Sequence, residues 1–127
     1  MAEHPISPGL RNFIADNIQS VEHLEILCLL AEDPSRSWSV ADVYRRILST
    51  EKSVAEGLQY FCANGLLTAD PRGEFRFTPK TSELNVMTQE LVKSYRERRV
   101  AVIESIYKKS SDSAQHFAEA FRLRKEK

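Results

Sequence analysis

Apolar residues recur at helical spacing along most of this chain and alternate in the manner of a strand in one short stretch. Ser7 followed by Pro8 offers an N-cap and a first helical position, which predicts a short helix to about Asn17. Ser20 is placed to cap the next, "VEHLEILCLLAED", in which Val21, Leu24, Leu27, Cys28 and Leu30 or Ala31 form the apolar stripe and Glu22, Glu25 and Glu32 the wet side. Asp33-Pro34 ends it, because the residue before a proline is pushed out of the helical region. In "SWSVADVYRRIL", Ser39 and Asp42 have the spacing of a capping box, and Val40, Val43, Tyr44 and Ile47 supply a buried face. Thr50 is the N-cap expected for a fourth helix. There Val54, Leu58, Phe61 and Cys62 share one side, so Lys52, Ser53, Glu56, Gln59 and Tyr60 point away from it.

Asn64-Gly65 supplies the left-handed residue that stops this helix. "LLTA" reads as a strand, "DPRG" as a turn with proline second, and "EFRFT" as the returning strand, with Phe75 and Phe77 on one face and Glu74, Arg76 and Thr78 on the other. From Thr81 nearly thirty residues run without glycine or proline. Leu84, Met87, Leu91, Tyr95, Val102 and Ile106 keep one helical spacing through them, widened by Val92, Val100, Ile103 and Tyr107, which predicts a single long helix. "SSDS" then breaks the pattern, and Ser111 or Asp112 caps a last short helix with Phe117, Phe121 and Leu123 on its apolar side. The expected fold is mainly α with a small β-hairpin over residues 8–80, followed by a C-terminal helical arm over residues 81–127.

The order of three helices, hairpin and long helix resembles a bacterial winged helix-turn-helix regulator, broadly of the MarR- and PadR-like groups. "SWSVADVYRRI" stands as positioning helix, "TEKSVAEGLQYFCANGLL" as recognition helix and "TADPRGEFRFTP" as wing. The stretch from Arg98 to the end is also similar to the tail of small bacterial winged-helix proteins. The resemblance implies a transcriptional regulator that reads the major groove of double-stranded DNA with the helix at 51–64. Its groove-facing positions would be Thr50, Lys52, Ser53, Glu56 and Gln59, flanked by Arg45 and Arg46 and by Arg72 and Arg76 on the wing. Lys52 and the arginines suit phosphates; Gln59 and Ser53 suit base edges.

Charge complicates that picture. The net charge is zero; residues 1–80 carry eight Lys+Arg against eleven Asp+Glu, three negative, while residues 81–127 carry ten against seven, three positive. The basic surplus thus lies outside the DNA-reading part, and Glu51, Glu56, Asp70 and Glu74 sit on its proposed face. This leaves open a second class of function: a protein-interaction module without direct DNA binding, in which the acidic helix and Tyr60 dock another protein. Tyr60 and Trp38 read as packing residues in preference to base-stacking platforms. Arg96, Arg98 and Arg99 are expected to pair with Glu90, Glu97 or a partner's acids.

Other chemistry finds no footing in the sequence. His4, His23 and His116 are far apart, no nucleotide or hydrolase signature occurs, and neither enzyme activity nor a cofactor or metal is expected. Cys28 and Cys62 lie in apolar helical runs and read as small hydrophobes in a reduced compartment. With no membrane-length apolar run and no signal pattern, the expected location is cytoplasmic. A helix of nearly thirty residues would measure about 40 Å, longer than a winged-helix core of about 25 Å. Its overhang would carry Val100, Val102, Ile103, Ile106 and Tyr107, which with Phe117 and Phe121 predict a homodimer interface.

Overall fold

Five hydroxyl side chains set the starts of the first five helices. Each takes a hydrogen bond from the backbone N–H three residues on: Ser7 from Leu10, Ser20 from His23, Ser39 from Asp42, Thr50 from Ser53 and Thr81 from Leu84, at 3.0–3.1 Å. The computed structural model describes residues 6–107, which are mainly helical with one small antiparallel sheet. The elements are α1 (Pro8–Asn17), α2 (Val21–Ala31), α3 (Val40–Tyr44), α4 (Glu51–Ala63), β1 (Leu67–Ala69), β2 (Phe75–Phe77) and α5 (Ser82–Glu97), then α6, helical from residue 99 as far as residue 107. The expected last helix, with Phe117, Phe121 and Leu123, lies outside the described residues, as do His4 and His116.

The capping box at α3 forms in both directions, Ser39 Oγ to the Asp42 N–H and the Asp42 carboxylate to the Ser39 N–H. That helix is shorter than its periodicity predicted. It ends at Tyr44, and Tyr44, expected on the buried face, is exposed; Val43 and Ile47 carry the burial. The hairpin has the register Leu67↔Phe77, Thr68↔Arg76 and Ala69↔Phe75. Its turn is tied by Asp70, whose Oδ1 accepts the N–H groups of Arg72 and Glu74 at 2.9 and 3.0 Å, with Gly73 at φ 82° completing the reversal. A third segment joins the sheet: Trp38 and Phe75 pair in an antiparallel bridge.

The largest departure from expectation is the long helix, which is broken at Arg98 (φ −137°, ψ 58°). α5 packs on α1 and α2, and the chain then turns into α6. Val102 and Ile106, expected at a dimer contact, are 0% and 1% exposed in the chain's own core, together with Leu91, Leu24 and Ile14. Arg96 and Arg99 reach across to α2 and not along their own helix: Arg96 meets Glu32 at 3.3 Å and Arg99 meets Glu25 at 3.7 Å. Arg99 also lies 4.7 Å over the Tyr95 ring.

Candidate functional site

α4 packs against α2, α3 and β1 through Val54, Leu58 and Phe61, all fully buried. Its opposite side carries Thr50, Glu51, Lys52, Glu56 and Gln59, all exposed. Both ends of α4 are fastened. At the start, Ser53 Oγ donates to Glu22 Oε1 of α2 at 3.0 Å. At the end, Asn64 Nδ2 donates to Asn17 Oδ1 at 3.0 Å, and the Tyr60 hydroxyl donates to the Asp16 carbonyl at 3.3 Å. Ser53, expected among the base-reading residues, is therefore half-buried with its hydroxyl turned toward α2. Tyr60, expected to point away from the core, is half-buried as well, stacked on His23 with ring centroids 4.8 Å apart.

Gly57 explains how closely α4 approaches α2. A Cβ there would stand 3.0 Å from Ile26 Cδ1 and 3.4 Å from the His23 ring, so an added methyl would require the Ile26 side chain to give way by a few tenths of an ångström.

The flanking cations fall into two groups. Arg72 and Arg76 are exposed on the hairpin, Arg72 at the turn within 3.7 Å of both Asp70 and Glu74, and Arg76 at the middle of β2. These acids mute Arg72, an effect that solvent screening keeps small. Arg45 and Arg46 follow α3; Arg45 pairs with Asp42 at 3.2 Å, and Arg46 lies 5.5 Å over the Trp38 ring. Arg36, which no pattern in the sequence singles out, places its guanidinium 3.6 Å over the same ring. Asp42 stands among these cations with its carboxyl below the ordinary value, held there first by the Ser39 backbone N–H and, more weakly, by the charges of Arg36 and Arg45.

The structure thus brings Thr50, Lys52 and Gln59 onto one exposed face, places the hairpin arginines and the α3 arginines on elements packed around α4, and withdraws Ser53. Two exposed apolar residues lie here, Tyr44 at the end of α3 and Leu48 in the connection from α3 to α4. Among the described residues no group of three or more His, Cys, Asp or Glu could hold a metal ion, and no helix is long and apolar enough to cross a membrane. Cys28 is buried, its thiol pushed up to about 12 by burial and, secondarily, by Glu32 and Glu25. Cys62 is half-buried and its thiol is raised by the same loss of water. No family model, curated protein or solved structure matches this chain.

Proposed function

We propose that the chain is a winged helix-turn-helix DNA-binding regulator, in which α4 enters the major groove and the hairpin is the wing. The observation that supports it best is the exposed, polar and firmly held outer face of α4, set between α3 and a hairpin bearing Arg76. A helix fastened at both ends meets a groove without losing further freedom. In this reading Gln59 reads a base edge, Lys52, Arg45, Arg46, Arg72 and Arg76 meet phosphates, and Ser53 acts as a brace between α4 and α2.

A second copy is part of the proposal, on that part of the expected surface which does not enter the chain's own core. Val100, Ile103 and Tyr107 fall at i, i+3 and i+7 of α6, and Val100 and Tyr107 are 67% and 63% exposed. That stripe is the surface we assign to pairing, which would set two copies of α4 for neighbouring half-sites.

The exposed acidic residues Glu51 and Glu56 and the exposed apolar residues Tyr44 and Leu48 favour the alternative of a protein-docking module. Salt separates the two. Retention of random duplex DNA that weakens steeply between low and physiological salt, and weakens further in the Arg72→Ala/Arg76→Ala double variant, supports the regulator. A duplex that is not retained even at low salt leaves the docking module.

A further inference from the structure

Within a half that is net negative, the segment around α3 is the opposite. Arg36, Arg45 and Arg46 are exposed there, and the one carboxylate among them, Asp42, already accepts from the Ser39 N–H and Arg45. Asp33 lies in the preceding loop, where its carboxylate accepts from the Ser35 hydroxyl. Two of the three arginines share a single platform. Arg36 lies 3.6 Å and Arg46 5.5 Å from the centroid of Trp38, although they bracket α3 from its two ends.

The platform is rigid. Trp38 is 2% exposed and its backbone exchanges two hydrogen bonds with Phe75 of β2, at 2.8 and 2.7 Å. Its Nε1–H has no hydrogen-bond partner among the described residues, while the two guanidiniums lie over the ring. A guanidinium stacked on a ring keeps its N–H edge free for another acceptor. Arginine also loses little further freedom when it then meets a phosphate, because the stacking has already fixed its plane.

We propose that Arg36 and Arg46, held on Trp38, form a clamp for the phosphate backbone of duplex DNA beside the groove that α4 enters. This rests on the DNA-binding reading. It adds Arg36 as a backbone contact and gives Trp38 a positioning role: the ring orients the cations and touches no base. It also accounts for binding by a net-negative half, since the affinity comes from a local pair of pre-oriented cations and not from overall charge.

The test uses the full chain, a random-sequence duplex, and the emission of Trp38, the one tryptophan in the chain. Adding duplex to the unaltered protein should shift or quench that emission. Arg36→Ala and Arg46→Ala should each weaken binding roughly three- to tenfold at low salt and lower the slope of log affinity against log salt by about 1. Arg36→Lys, which keeps the charge and loses the stacked plane, should fall between, while Arg11→Ala on α1 should bind as the unaltered chain does. Circular dichroism confirms that each variant is folded; if Arg36→Ala is not, Arg36→Lys carries the comparison. Duplex binding that is unchanged in affinity and salt slope by Arg36→Ala and Arg46→Ala overturns the clamp and leaves the DNA reading standing. An unaltered chain that binds no duplex at any salt overturns both.

Discussion

Trp38 and Phe75 exchange both of their backbone hydrogen bonds, which makes the segment before α3 a third member of the hairpin sheet. Phe75 is also buried at the junction of that sheet with the helices. Phe75→Ala should therefore cost about 3–5 kcal/mol, read as a lowered midpoint in urea with tryptophan emission as the signal. A loss below about 1 kcal/mol would mean the bridge and the core behind it are not joined as described.

Two glycines should respond in opposite ways to the same change. Gly9, exposed in the first turn of α1, has only Met87 Cε near, at 3.8 Å, so Gly9→Ala should gain up to about 1 kcal/mol of helix propensity. Gly57→Ala drives its methyl to 3.0 Å from fully buried Ile26, and overpacking of about 1–3 kcal/mol should outweigh the same gain. Thermal melts of the pair should move in opposite directions.

Ile106→Ala should cost about 2–5 kcal/mol even in a monomer, because the side chain is 1% exposed in the chain's own core. Val100→Ala should stay within about 0.5 kcal/mol for the folded chain. It should instead weaken self-association in sedimentation, and a species near 14.5 kDa at every micromolar concentration would remove the dimer from the proposal.

The hairpin turn should loosen in acid. The Asp70 carboxyl lies below its ordinary value of 3.8, first because it accepts the Glu74 N–H, and further through the N–H and charge of Arg72. A carboxylate lowered in this way adds stability that is complete above 3.8 and is lost as the pH falls through its folded value. The difference in melting temperature between the unaltered chain and Asp70→Ala should thus be constant above about pH 5 and close as the solution is taken down toward pH 2.

Thiol chemistry supplies a probe of the core. Cys28, with its thiol near 12, should resist alkylation at pH 8 until the chain is unfolded, and Cys62 should react slowly before it. Above pH 9 the unfolded chain releases the Cys28 proton while the folded chain keeps it, so stability should fall as pH rises toward 12. Rapid labelling of Cys28 in the native protein would contradict its burial.

Local signals in the sequence were read well, because caps and turns depend on neighbours a few residues apart. Ser7, Ser20, Ser39 and Thr50 cap the helices they were expected to cap, and Gly65 and the "DPRG" turn fall where predicted. The break at Arg98 was not legible for a definite reason. Tyr95, Val102 and Ile106 keep a helical phase across it, since both segments turn the same side to the core, and no glycine or proline marks the bend. At the candidate site, the exposure of Lys52, Gln59 and Arg76 was legible from their helical and strand phase. It was not legible at Ser53, which answers to Glu22 on another helix, or at Arg36, whose tie to Arg46 exists only through the tertiary position of Trp38.

The burial of Val102 and Ile106 also bears on the order in which the molecule can assemble on the ribosome. When the hairpin has been made, the side of α1 and α2 that will receive α5 still faces water, and Leu91, Val92, Val102 and Ile106 have yet to be synthesised. The nascent chain must therefore carry an unfinished core from the completion of the hairpin until Ile106 has been made and can reach it.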